Sequence, residues 1–385
     1  MNILIVSHEY PPVGGGGANA CMHLAKEYRE AGNKVTIVTV WFSGEKEYEE
    51  KLGVRIYRVK SKRAHLEHCG FSEMLDYLKK ALPLVKKLAR EEKFDICQVF
   101  FGIPSGPLGY YLKKKYHIPY VIRFGGGDIP GFQDRFAFVY KAIGPTIKIL
   151  WKNADALVAN SQGLKRLAED FYDKKDILII PNGADVRAFS ENTEKDAEKS
   201  SDGRSLCRLL FASRLIERKG LQDILPQLND VIKSCSDSGV KLVLDVVGDG
   251  PYREKLETIV KEQRLEGNVV FHGQKSKEQL PAYYSQADIF LFPSRKEGMS
   301  NAVLEAMSYG LPIIMTPCQG SDELIDGNGY VIEAKEFGNK IKDLVLNRDS
   351  CSKMGRRSTQ LIEDVFSWRN TSDSYLKLFH DIVSR

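Results

Sequence analysis

Apolar residues along this chain come in short, nearly unbroken runs, separated by stretches in which they recur at the spacing of a helix face. Asn2–Ser7, Lys34–Val40, Val54–Val59, Ile96–Phe101, Tyr120–Phe124, Ala156–Ala159 and Ile177–Ile180 are runs of the first kind, rich in β-branched residues. A run that is apolar throughout, without alternation, suits a parallel strand covered on both faces. Ala18–Ala31 and Leu75–Glu91 between them carry the helical period. Strand, helix and strand in repeated order predict right-handed crossovers and a doubly wound α/β sheet.

The pattern breaks at 190–205, a polar stretch with one alanine and no larger apolar residue, which reads as a linker. It then restarts, with strands at Leu206–Ala212, Lys241–Val247, Val269–His272, Ile289–Phe292 and Pro312–Met315, and helices beginning near Leu221, Tyr252, Lys277 and Asn301. The expectation is two Rossmann-like doubly wound domains, 1–189 and 206–365. A length of 385 residues agrees with two cores rather than one. Residues 366–385 form a last helix with Tyr375, Leu378, Phe379, Ile382 and Val383 as its apolar positions. Trp368, at its start, is a large anchor that needs a surface, and a return of this tail to the first domain would supply one.

Composition narrows the picture. Hydrophobic residues at 43% and charged residues at 28% are those of a soluble globular chain, and a net charge of +5 without a long block of like charge argues against a nucleic-acid arm. A small anionic substrate or a membrane surface fits that balance better. Seven cysteines stand singly, with no Cys-x-x-Cys and no histidines at metal spacing, so reduced thiols and a cytoplasmic location are expected. The first residues enter a strand without a charged leader, and no window approaches the ~18 unbroken apolar residues of a membrane span. Lys79, Lys80, Lys86, Lys87 and Arg90 surround the apolar stripe of the 75–91 helix. Its basic side suits a solvated face or contact with anionic lipid headgroups.

Three loops could carry chemistry. Tyr10-Pro-Pro-Val-Gly-Gly-Gly-Gly17 lies between the first strand and the first helix, where glycines admit a close ligand backbone and a helix N-terminus favours an anion. It matches neither the dinucleotide fingerprint nor the P-loop. Arg214 and Lys219 fall at the corresponding place in the second half, where they could neutralise a diphosphate or simply be solvated. Glu297-Gly-Met-Ser-Asn-Ala-Val-Leu-Glu305 follows a buried strand, with Glu297 in a glycine turn and Glu305 in the helix behind it. Ser300 can cap that helix, and the N–H groups of Asn301, Ala302 and Val303 would point back towards the two acids.

Taken together, Glu297-x7-Glu305, Arg214 with Lys219-Gly220, the early Gly-rich loop, Ile180-Pro-Asn-Gly-Ala-Asp185 and the terminal Phe-Ser-Trp resemble the retaining glycosyltransferases of the GT-B fold, family four, over essentially the whole chain. The resemblance implies two Rossmann-like domains facing each other across a cleft, and transfer of a sugar from a nucleotide-diphosphate donor, UDP-linked by family frequency. It implies that Arg214 and Lys219 hold the diphosphate and that Glu305 accepts from the ribose hydroxyls. Glu297 would lie by the donor sugar, with Gly298, Met299, Ser300 and Asn301 offering backbone N–H groups. Gly16 and Gly17 would close on the diphosphate, and Gln274 and Lys275 lie in the segment that reads the base. The chain has no Asp-x-Asp, so cations and helix dipoles are expected to replace a metal, and no cofactor is expected. The acceptor implied is a glycan or a lipid-linked sugar, in polysaccharide or glycolipid synthesis.

One departure stands in the first half. Many relatives have a histidine after the strand that here is Val121–Phe124; this chain has Arg123-Phe-Gly-Gly-Gly-Asp128. Asp128 is the candidate for positioning the donor sugar or the acceptor, with capping of its own turn as the alternative, and Arg123 could face an anionic acceptor. Asn160-Ser161 and Asn182-Gly183 read as a helix cap and a turn. Two other functions suit the same fold: a nucleotide-sugar epimerase, and a silent nucleotide-sugar-binding subunit.

Overall fold

A computed structural model describes residues 1–66, 69–133, 137–186 and 203–385. The expected linker, apart from its last three residues, lies outside the described residues. The chain divides into two compact units, Met1–Gly183 with Trp368–Arg385, and Ala184–Ser367.

The first unit runs β1 (Asn2–Ser7), α1 (Gly16–Glu30), β2 (Lys34–Val40), β3 (Tyr48–Lys51), β4 (Val54–Val59), α2 (Phe71–Glu91), β5 (Ile96–Phe100), α3 (Gly102–Tyr116), β6 (Tyr120–Arg123), α4 (Ala137–Asn153), β7 (Ala156–Ala159), α5 (Gln162–Phe171) and β8 (Ile177–Ile179). Its sheet has the order β3-β4-β2-β1-β5-β6-β7-β8. Every neighbouring pair is parallel except β3 with β4. Alternate side chains of β1 go to opposite faces: Leu4 and Val6 pack with Tyr77, Leu108, Ile147 and Leu164 from α2 to α5, while Ile3 and Ile5 pack with Cys21 and Leu24 of α1. Burial on both sides is why these strands read as unbroken apolar runs. The edge strand β3, Tyr-Glu-Glu-Lys, has no such run and escaped the sequence pattern; its charges suit an edge.

The second unit runs β9 (Ser205–Ala212), α6 (Leu221–Ile224), α7 (Leu228–Asp237), β10 (Val240–Val247), α8 (Arg253–Glu262), β11 (Val269–Gly273), α9 (Leu280–Gln286), β12 (Ile289–Phe292), α10 (Asn301–Ser308), β13 (Ile313–Met315), α11 (Ser321–Leu324), β14 (Gly329–Val331), α12 (Phe337–Leu346) and α13 (Arg348–Asp364). Its six parallel strands lie in the order β11-β10-β9-β12-β13-β14. Both sheets share one property that positions loops. The first strand, β1 or β9, lies between the strand that follows it and one that comes later, so the chain leaves it towards one side and returns on the other. Loops at the carboxyl ends of these strands diverge there and leave a crevice.

The boundaries differ from those expected. The division falls at Gly183/Ala184 and Ser367/Trp368, because Ala184 donates its N–H to the Phe366 carbonyl at 2.7 Å and bridges Ser367, which ties both to the second unit. The last helix, α14 (Trp368–Val383), is part of the first unit. Trp368 stacks on His23 of α1 with ring centroids 4.9 Å apart, and Phe379 meets Tyr28 edge-on at 5.7 Å. Tyr375 and Phe379 are wholly buried. Phe379→Ala should therefore cost about 3–5 kcal/mol, read as an earlier unfolding midpoint in urea; a shift below about 1 kcal/mol would mean that α14 adds little to this core.

Candidate active site

In the second unit, the site is built where β9 and β12 lie side by side. After β9 the chain passes Arg214, which is exposed, and makes a single tight turn at Glu217–Lys219 that ends on Gly220. Gly220 has φ +73°, and a Cβ there would lie 1.8 Å from the Pro293 carbonyl oxygen, so only glycine lets this turn press against the end of β12. The two loops are then stitched together. The Arg218 carbonyl accepts from the Arg295 N–H at 2.9 Å, and the Arg218 guanidinium donates to the Lys296 carbonyl at 2.8 Å. On its other side the Glu297 loop is tied to the loop after β13, where the Glu297 backbone carbonyl accepts the Gln319 N–H at 3.0 Å.

This packing brings Lys219 and Glu297 together. The Lys219 ammonium is hydrogen-bonded to Glu297 Oε1, and the Arg218 guanidinium lies 3.5 Å from the same oxygen. Lys219 also stands 5.1 Å from the centre of the Phe292 ring. Burial pushes the Lys219 ammonium below its ordinary value, against the pull of the Glu297 carboxylate, and the charges of Arg218 and Arg214 push the same way as burial. Arg214, Arg218 and Lys219 thus surround the Glu297 carboxylate at this end of the sheet.

The helix behind Glu297 is α10. Ser300 caps it, accepting from the Val303 N–H at 3.4 Å, so of the three amides expected to face a ligand Val303 is already taken. Gly298 and Met299 form the turn, where a Cβ on Gly320 would lie 2.1 Å from the Gly298 oxygen, and Met299 is buried. Asn301 opens the helix, and one turn on Glu305 accepts from the Tyr284 hydroxyl at 3.1 Å through Oε2. Gln274 and Lys275 follow β11, one strand beyond β10, and the Lys275 ammonium lies 5.8 Å from the Tyr283 ring. His272, just before them, is 2.7 Å from Asp245 and edge-on to Tyr283 at 4.8 Å. The structure therefore gathers Arg214, Lys219, Glu297 and the start of α10 around the β9–β12 seam.

Gly16, Gly17 and Asp128 belong to the first unit. Gly16 and Gly17 open α1, and a Cβ on Gly17 would lie 2.4 Å from Phe101 Cζ. Asp128 holds its own loop in place, in keeping with the turn-capping alternative of the two readings. It is 2% exposed, with Oδ2 accepting from the Gly102 N–H at 2.6 Å and Oδ1 from the Gly125 N–H at 2.8 Å. Burial raises its pKa against the lowering effect of those amides. Arg123 is also turned inward: it is 2% exposed, donates to Asn182 Oδ1 and lies 5.0 Å from the Phe100 ring, so it presents no guanidinium to an acceptor.

Sequence reasoning passed over His8 and Arg218. His8 follows the first strand, buried and edge-on to Phe101 at 4.7 Å, and its Nδ1 has no hydrogen-bond partner among the described residues. Burial and then the charge of Arg63 hold its pKa down at about 3, so its imidazole is neutral near pH 7. A histidine was sought only after the β6 strand, and nothing local marks one that follows β1. Arg218 directly precedes Lys219, and its sequence position does not tell it from any other charged residue of a surface turn.

Two Rossmann-like units with largely parallel sheets are the architecture of GT-B glycosyltransferases. Residues 14–188 match the model of Glycosyltransferase Family 4 and residues 192–361 that of Glycosyl transferases group 1. The chain belongs to this glycosyltransferase family. It is 30% identical to an uncharacterized glycosyltransferase of Methanocaldococcus jannaschii over 66% of this chain and 64% of the relative. It is 26% identical to the alpha-monoglucosyldiacylglycerol synthase of Streptococcus pneumoniae, over 82% of this chain and 70% of the relative. The fold is similar to that of Anabaena HepE in complex with UDP-glucose, with a TM-score of 0.74 and 17% identity over 99% of this chain and 100% of the other.

The Lys219–Glu297 pair has a measurable signature. The folded protein holds the Lys219 proton less tightly than the unfolded chain does, so between its lowered value and the ordinary 10.5 the unfolded state carries more protons. Stability attributable to Lys219 therefore rises with pH across that window. Lys219→Met should flatten this rise in urea unfolding measured from neutral to alkaline pH. Glu297→Gln, which leaves a mostly buried ammonium without its carboxylate, should cost about 1–3 kcal/mol and steepen the rise. An unchanged profile in both variants would mean that the pair carries no electrostatic strain.

Proposed function

We propose that this glycosyltransferase moves a sugar, with retention at the anomeric carbon, from a UDP-sugar to an acceptor hydroxyl on a glycan or lipid-linked sugar. The observation that carries the proposal is the Lys219–Glu297 pair held beside Arg214 and Arg218 at the switch point of the second unit. A departing nucleoside diphosphate gains negative charge as the sugar–phosphate bond breaks, and cations fixed beforehand stabilise that charge without reorganising. Arg214 and Lys219 take this role, and Glu297 keeps Lys219 aimed and protonated. Glu305, one helical turn inside α10, accepts from the ribose hydroxyls, because an ionised carboxylate offers only acceptors. The backbone amides of Gly298 to Asn301 hold sugar or phosphate oxygens, and Gln274 and Lys275 lie on the base.

No covalent nucleophile is invoked. The leaving diphosphate takes the acceptor proton on the same face from which it departs, which preserves configuration. Cations supplied by the protein make the reaction independent of a divalent metal. The UDP preference is supported by the similarity to a protein that holds UDP-glucose, and a lipid-linked acceptor by the similarity to a glucosyldiacylglycerol synthase.

Lys219→Ala should lower kcat/KM by about 10²–10³, mostly in kcat, the loss usual for one electrostatic donor to a transition state. Glu305→Ala should instead raise the donor Kd about tenfold or more, the worth of charge-assisted hydrogen bonds, with a smaller effect on kcat. Steady-state kinetics with UDP-sugars separates the two. Excess EDTA should leave the rate unchanged, and NMR of the product should find the donor's anomeric configuration. Inversion, or full activity in Lys219→Ala, would overturn the assignment.

A further inference from the structure

We propose that the outer side of the α2–α3–α4 layer in the first unit docks on an anionic lipid bilayer. The inference stands on residues remote in sequence from the seam at Lys219 and does not depend on which donor is used.

Helices α2, α3 and α4 cover one face of the first sheet, their apolar sides meeting Leu4 and Val6, so their other sides point away from the core. On α4 the outward positions are Phe138, Lys141, Ala142, Pro145, Ile149 and Lys152, all exposed and at the spacing of one helix face. Phe138 is 90% exposed and Ile149 50%. On α2, Leu75 is 50% exposed, with Lys79, Lys80, Lys87 and Arg90 exposed further along the same helix. Helices α3 and α4 together carry six lysines and no acidic residue. Acids in these three helices occur only on α2: Glu73 and Asp76 accept from backbone amides of Ala64, Gly70 and Lys62, and Glu91, at the helix end, lies 3.8 Å from Lys87; just past α4, Asp155 holds Lys113 at 2.7 Å. The bias ends at α5, where Lys165 is paired with Glu169 and Asp176.

Such a surface combines an excess of positive charge with large apolar side chains in water. Phosphate groups alone would satisfy the lysines, as in a nucleic acid, but would leave Phe138, Ile149 and Leu75 wet. A bilayer satisfies both: headgroup phosphates attract the ammonium groups, and aromatic and aliphatic side chains enter the headgroup boundary while the lysine stems lie along it.

The test is flotation of the full-length protein with vesicles of phosphatidylcholine, alone or mixed in equal parts with phosphatidylglycerol, at physiological salt. Binding to the anionic vesicles should be at least tenfold tighter than to the neutral ones. Lys141→Glu with Lys152→Glu should weaken it by at least tenfold, and Phe138→Ser by severalfold, while circular dichroism and the thermal midpoint stay those of the wild type. Failure to bind anionic vesicles, equal binding to both kinds, or undiminished binding by the folded double variant would each overturn the proposal. Tighter binding to a short DNA duplex than to the anionic vesicles would do the same. None of these outcomes bears on kinetics with a water-soluble acceptor, so failure here and failure of the transferase mechanism are separable.

Discussion

The constraint on which the rest depends is that β1 and β9, the first strands of the two sheets, are each flanked by strands reached in opposite directions. Parallel strands need crossovers, and crossovers that wind both ways must part at one place. In the second unit that place is the β9–β12 edge. The loops there do not simply diverge: Gly220 against Pro293 and the bonds from Arg218 to 295 and 296 pull them back together a few residues later. A crevice at the strand ends, closed at its base by backbone contacts, is a rigid mount for side chains. Lys219 and Glu297 are distant in sequence and are neighbours only because of it.

A buried ammonium is costly, and the direction of the Lys219 shift shows that burial outweighs its carboxylate partner. The surrounding charges make this sharper, since Arg214 and Arg218 repel the same proton. Such an arrangement gives the free protein little stability and leaves it in want of negative charge. In the proposed function the diphosphate supplies that charge, so the cost of gathering the cations is met during folding, not during the reaction.

Most of the architecture was legible because the strands are buried on both faces and their composition says so. The strands that escaped were short edges, Tyr48–Lys51 and Gly329–Val331, which have one neighbour and no apolar run. The domain boundary was missed for a related reason. The polar stretch marks a break in composition, whereas the unit boundary at Gly183/Ala184 follows from the pairing of Ala184 with Phe366 and Ser367, a contact between residues far apart in sequence that composition does not record. In the second unit the charged seam followed from motif and position together. In the first, residue type misled: an arginine and an aspartate at a strand's end look like ligands until their partners are known.

Those partners explain why the two loops differ. The glycine-rich loop after β6 has no side chains with which to hold its shape, so it borrows a carboxylate, and Asp128 spends both oxygens on the amides of Gly102 and Gly125. Arg123 is likewise spent, on Asn182 and the Phe100 ring. Both groups are buried and bound to neighbours in the fold, which holds them in place whatever their position in the sequence suggests. His8 is the opposite case. Burial keeps it neutral, and its Nδ1 lacks a hydrogen bond beside Phe101, the ring that also crowds Gly17 and Gly125. An unsatisfied buried nitrogen costs about 1–3 kcal/mol. Among the described residues His8 thus differs from Asp128 and Arg123, whose side chains are hydrogen-bonded to neighbouring groups of the fold.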